Sequence, residues 1–180
     1  MKRWLLPSAA LAVLIIGAVL TLAGNYGRQL VHDQLAPQKI TFAPYDESGQ
    51  NGDNYAAYPE LQDRAGTTVT DGLAARDFAT YIDAHVMETT GGRSYSEVSA
   101  AARANPEDEE AAAVRRSALD GQLLAAIMWN TYGWWLLATV AFLVGIALIV
   151  AGLALGAMAF LVRRRPEAVA RSEPRAEVRA

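Results

Sequence analysis

Two long apolar runs, one near each end, constrain this chain more than anything between them. Residues 5–23 hold no charged side chain, and neither do residues 134–162. A hydrocarbon layer of about 30 Å is crossed by roughly 20 apolar residues at 1.5 Å each, so each run reads as a membrane-spanning helix. The segment between them then lies wholly on one side of the bilayer. The expected architecture is all-α: a helical hairpin of two transmembrane helices, residues 5–24 and 134–162, with a small helical domain, residues 25–133, inserted between them. Residues 1–4 form a short cytoplasmic N-terminus, and residues 163–180 are expected to be a disordered basic cytoplasmic tail, too polar to build a core.

Charge sets the expected orientation. The central segment carries 8 Lys or Arg against 16 Asp or Glu, although the net charge of the whole chain is only −3. Lys2 and Arg3 precede the first run, and Arg163, Arg164 and Arg165 follow the second. Cytoplasmic flanks accumulate such residues, so both termini are expected inside the plasma membrane and the acidic domain outside. A cleaved signal peptide is the rival reading of the N-terminus. Against it, the apolar run exceeds the usual signal core, and Thr21-Leu22-Ala23 is a poor cleavage site. The chain has no cysteine, which excludes disulfides and thiolate metal sites.

Aromatic residues cluster at the run ends: Trp4 at the inner side, then Tyr26, Trp129, Tyr132, Trp134 and Trp135 at the outer. Amphipathic rings favour the headgroup layer, so these read as interface anchors, with a stacking platform for a ligand as the alternative. Ala10, Gly17, Thr21 and Gly24 in the first run, and Gly145, Gly152 and Gly156 in the second, recur at helical spacing. Small residues so placed let backbones approach in lipid, either between the two spans or between copies in an oligomer.

Outside the spans, the first helix is expected to continue to Leu35 and to stop at Pro37, followed by an extended piece at residues 39–42 and a polar loop at 44–59. Residues 59–65 suit one or two helical turns. Thr70 is the expected cap of a helix over 71–89 that Gly91-Gly92 ends, with Phe78, Tyr81, Ile82, His85 and Val86 on one face. Ser94 and Glu97 form a capping box before a helix ending near Ala104. Asn105-Pro106 is the expected start of a last helix running into the second span, with Glu107 to Glu110 in its first turn and an Arg116–Asp120 pair beyond.

Few side chains offer chemistry. His32 and His85 are the only imidazoles. His32 stands beside Asp33, while His85 reads as a packing residue on the apolar face of its helix. Residues 46–54 are rich in oxygen donors but depart from an EF-hand, with Asn51 at the glycine position and Ala57 at that of the bidentate glutamate. No metalloprotease, nucleophile-elbow or phosphate-loop motif occurs. The acidic domain argues against nucleic acid, and the uncharged spans against an ion path.

The stretches Asp33-Gln34-Leu35 with Gln38-Lys39-Ile40-Thr41-Phe42, residues 58–70, and Gly91-Gly92-Arg93-Ser94-Tyr95-Ser96-Glu97-Val98-Ser99 together resemble a family of small two-span actinobacterial membrane proteins, over roughly residues 30–135. Members often carry the label aromatic ring-opening dioxygenase. The resemblance implies a non-haem iron site of two histidines and a carboxylate, for which His32 and His85 are the available imidazoles. The residues themselves favour a protein without cofactor, an accessory, scaffold or interaction protein of the envelope. Its expected partners are the lipid bilayer and another copy or another membrane protein. A sensor of an external ligand, acting through the loop at 46–54, is the third expectation.

Overall fold

The computed structural model describes residues 5–45, 55 and 58–172, with side chains through Val162. The order is α1 (Leu5–Leu35), a 3-10 turn (Ala36–Gln38), a 3-10 helix (Pro59–Arg64), α2 (Gly72–Thr90), α3 (Tyr95–Ala104) and α4 (Glu109–Ser172). No strand occurs among the described residues. Helices α1 and α4 are each long and apolar enough to cross a membrane, and the most apolar window of each is only 11% buried. A core helix of a soluble protein would hide most of that surface. The chain divides into two compact units, Met1–Asn25 with Thr139–Ala180, and Tyr26–Ala138.

In the first unit, α1 buries Ala10 and Gly17 with Gly24, and α4 buries Gly145 and Gly152 with Ala159. Each set repeats every seven residues, the period that keeps one face of a helix on its neighbour as the pair winds left-handed. Contact is made by backbone. A Cβ on Gly17 would stand 2.9 Å from the Gly145 carbonyl oxygen, and one on Gly145 would stand 2.5 Å from the Thr21 nitrogen. A Cβ on Gly152 would meet Leu14 Cγ at 2.7 Å. The Thr21 hydroxyl donates to the Gly17 carbonyl at 2.8 Å, so this polar group is satisfied within its own helix. Gly156 differs from its expected role: a Cβ there would meet nothing within 4 Å.

The second unit is built on a core of Val31 and Leu35 from α1, Phe42, Val69, Ala75, Phe78 and Ala79 from α2 and its approach, and Ala125 and Met128 from α4. The expected extended piece at 39–42 has a partner that periodicity did not show. Phe42 N–H donates to the Thr67 carbonyl at 3.0 Å and Val69 N–H to that of Ile40 at 2.8 Å, around an antiparallel Thr41–Thr68 bridge. Phe42 meets Phe78 edge-on with ring centroids 5.1 Å apart. Tyr55 is fully buried, touches the rings of Tyr45 and Tyr81, and donates its hydroxyl to the Ala43 carbonyl. Burial, and secondarily Tyr81, pushes its phenol above the ordinary value.

Helix α2 is capped by Asp71, whose carboxylate accepts the Ala74 N–H at 2.8 Å, and not by Thr70. The bridge explains the shift: Val69 is held in extended pairing, so the chain first turns one residue later than the cap pattern suggests. Gly91 and Gly92, at φ 62° and 77°, end α2 as expected, with the Gly92 N–H returning to the Met87 carbonyl. Helix α3 starts on the full capping box of Ser94 and Glu97. Asn105 does not open α4 but closes α3, bonding the Ala101 carbonyl. Pro106 then sits in a turn closed by Asp108 N–H to the Asn105 carbonyl, and Asp108 caps α4 through the Ala111 N–H.

Helix α4 runs unbroken past Gly121 and Gly133 and continues through Pro166 to Ser172, where an unstructured tail was expected. Glu167, Ala168, Ala170 and Arg171 are all good helix formers, which suits that extension. Gly121 serves contact, since a Cβ there would lie 2.3 Å from Val86 Cγ2, and a Cβ on Gly72 in α2 would lie 2.3 Å from the Trp135 ring of α4. Arg116 and Asp120 are both exposed and form no ion pair among the described residues, consistent with the small value of such pairs in water.

Gly145→Ala forces a methyl group into backbone, so it is expected to destabilise the α1–α4 pair by about 1–3 kcal/mol, whereas Gly156→Ala is expected to be neutral; thermal unfolding of the two variants in mild detergent compares them. The Ser94 hydroxyl and then its N–H hold the Glu97 carboxyl below the usual carboxylate range. The α3 cap is therefore fully stabilising above the ordinary pKa of about 4.3 and is lost as the pH falls through the lower folded value. Amide-exchange protection at residues 95–98 should fall over that window in the native chain and show no such acid step in Glu97→Gln.

Candidate functional site

The most polar structure in the second unit is one that periodicity alone did not show. Asp77 is buried on the α2 face that also carries Ala74, Ala75 and Phe78. Arg64 donates Nε to its Oδ2 at 2.8 Å, with Nη2 in ion-pair contact with the same oxygen at 2.8 Å, and Arg76 donates Nε and Nη2 to its Oδ1 at 2.9 and 2.7 Å. Both carboxylate oxygens accept hydrogen bonds from guanidinium groups, which is the condition for placing a carboxylate there. The bond to Asp77 is the main cause that raises the Arg76 pKa further above its ordinary value. The same guanidinium lies 5.8 Å from the centre of the Tyr132 ring. Asp77 thus joins the 3-10 helix to α2, and Arg76 carries the link on to α4. The signal was present in the sequence: a lone acid amid apolar positions of a helix face requires a partner.

A cleft of about 220 Å³ opens between α3 and the start of α4, lined by Arg93, Val98, Ala101, Asn105, Asp108 and Val114 among others. Two of its three charged residues are already engaged. Arg93 Nε donates to the Thr90 carbonyl at 2.8 Å, and Asp108 holds the α4 cap. Glu110 and Asn105 share the lining with Val98, Ala101, Ala111 and Val114, and the lining holds no imidazole, hydroxyl nucleophile or second basic group.

His32 is exposed, with Nδ1 3.4 Å from Asp33 Oδ1, a distance at the limit of a hydrogen bond. His85 is exposed as well, and so is not the packing residue expected from its place between Ile82 and Val86. The apolar face of α2 is narrower than the periodicity suggests, since Phe78 and Val86 are buried and Tyr81 and Ile82 half-buried. Among the described residues no three His, Asp or Glu side chains converge as metal ligands. The loop at 46–54 lies outside the described residues, as do Trp4, Lys2 and Arg3; the side chains of Arg163, Arg164 and Arg165 lie beyond those described.

The aromatic cluster separates into two groups. Tyr26 and Trp134 are 67% and 63% exposed, as a ring in contact with headgroups requires. Trp135 instead packs against the core and over Gly72, stacked on Tyr132 at 6.5 Å, and Tyr132 in turn receives Arg76. These two were expected as anchors, yet they brace the second unit, because the glycine at 72 leaves a slot that an indole fills. Trp129 lies between the groups, 43% exposed, with its indole N–H 3.4 Å from Asp83 Oδ2.

Gly17, Thr21, Gly145 and Gly152 do come together at one helix seam, described above. No protein-family model matches the chain, no curated protein matches it, and no solved structure matches it, so its function is argued from its own residues.

Proposed function

We propose that this chain is a two-pass integral membrane protein whose inserted helical domain serves as an accessory, scaffold or interaction element of the cell envelope. The observation that carries this reading is the exposure of the apolar faces of α1 and α4. Leu11, Ile15, Ile16, Val19 and Leu22 on α1 and Val150, Leu153, Leu161 and Val162 on α4 are all more than half exposed. Burying each such side chain is worth about 1.5–3 kcal/mol, a gain that lipid supplies and water does not. The glycine seam supports the same reading, since close backbone contact and an internally bonded threonine are what helix pairs in lipid use.

The arginine and lysine flanks favour an orientation with both termini cytoplasmic and the domain of residues 26–138 outside. That domain spends its buried charge on Arg64, Arg76 and Asp77 and offers no convergent catalytic group among its described residues, which favours binding over catalysis. The iron-dependent ring-opening reading would need ligands beside His32 and His85, and the described carboxylates do not converge with them.

Membranes washed with alkaline carbonate are expected to retain the protein, and its release into the wash would overturn the reading. Because the chain lacks cysteine, Glu88→Cys on exposed α2 and Ala180→Cys at the tail report orientation cleanly. An impermeant maleimide should label Glu88→Cys in intact cells and Ala180→Cys only after permeabilisation; the reverse pattern inverts the orientation.

A further inference from the structure

Helix α4 has a second face, pointing away from the one that packs on α2. In the second unit it buries Ala118, Ala125 and Met128, and sets Gly121 against Val86. Opposite these stand Leu119, Leu123, Ala126, Asn130, Gly133 and Leu137, spaced alternately four and three apart. The leucines are 39%, 54% and 63% exposed, Ala126 and Asn130 are exposed, and a Cβ on Gly133 would meet nothing within 4 Å. That alternation is the heptad pattern of a two-helix seam, with Leu119, Ala126 and Gly133 at one core position and Leu123, Asn130 and Leu137 at the other.

Lipid does not account for this face. The stretch of α4 free of charged residues runs from Gly121 to Val162, roughly 60 Å of helix at 1.5 Å per residue, about twice a hydrocarbon core. If Trp134 marks the headgroup layer, Leu119 stands about 22 Å beyond it. An apolar stripe in water at that height requires protein to cover it.

We propose that a second copy of this chain covers it, as a parallel dimer through α4. The inference rests on the membrane reading, which inserts both copies in the same sense and so sets the two seams side by side in register. Two features match a copy. In parallel pairing the residue just before one core position faces, on its neighbour, the residue five further on, which sets Arg115 of one chain opposite Asp120 of the other. These are opposite charges, and neither forms an ion pair within its own chain among the described residues. Asn130 meets its own counterpart, and a carboxamide both donates and accepts, so two identical ones pair with each other. The seam begins at Leu119, because Arg116 at the preceding core position would face its own charge.

Single-cysteine variants of the full chain, oxidised in native membranes, test the proposal. Leu123→Cys and Asn130→Cys should form a disulfide-linked species of twice the chain mass, and Ser117→Cys, exposed off the seam, should not. In the Asn130→Cys background, Arg115→Glu should lower the linked fraction by about two- to fivefold, and adding Asp120→Arg should restore it. Equal linking at Ser117→Cys, linkage only to a species of another mass, or no linkage in protein that survives an alkaline wash overturns the dimer and leaves the membrane reading intact. Release by the wash with seam-specific linkage retained overturns the membrane reading alone.

Discussion

The structure depends on how closely two backbones can approach where α1 and α4 meet. At Gly17 and Gly145 the backbone of one helix lies where a methyl group of the other would have to stand. In lipid there is no hydrophobic gain from pressing two apolar helices together, so shape alone must hold them. A face of glycine and alanine at seven-residue intervals supplies that shape, with Leu14 and Ile149 packed beside it. The same helices therefore present many of their leucine, isoleucine and valine side chains to their surroundings.

The second unit solves the opposite problem. It is acidic and small, has no disulfide, and must order a chain that enters from one long helix and leaves by another. Its core is correspondingly aromatic, with Phe42, Tyr55, Phe78 and Tyr81 in successive ring contacts. One buried carboxylate, Asp77, ties the 3-10 helix to α2 through two guanidinium forks. The carboxylate is the buried member, since the Arg64 and Arg76 side chains are 33% and 44% exposed, so losing both guanidinium groups would leave Asp77 unpaired where little water reaches it. The arrangement thus fixes a register more than it adds stability.

Long-period features were legible in the sequence, and short-range competition was not. Helicity, the two apolar helices and the stops at Leu35 and Gly91 follow from runs and breakers that act over many residues or admit one outcome. The helix starts were less certain because adjacent residues can do the same work. Thr70 and Asp71 are both good caps, and the Val69 bridge decides between them. Asn105 and Asp108 are likewise interchangeable until Asn105 is drawn back to close α3. The indole of Trp135 was read as an anchor because its position along the helix suits one, and only the slot at Gly72, remote in sequence, turns it inward. Asp77 could have been found by asking what a charge was doing between Ala75 and Phe78. The extended partner at residues 67–69 carries no periodicity, being only three residues long.

The Tyr45–Tyr55 contact separates the length of one segment from everything else. The rings lie 6.1 Å apart by their centroids, and Tyr55 is anchored in turn by Tyr81 and the Ala43 carbonyl. The chain between them leaves and returns at the same place, so doubling its length would cost only about 0.6 kcal/mol of closure entropy. The aromatic peg is held by contacts outside that segment, so its frame does not depend on how long the segment is.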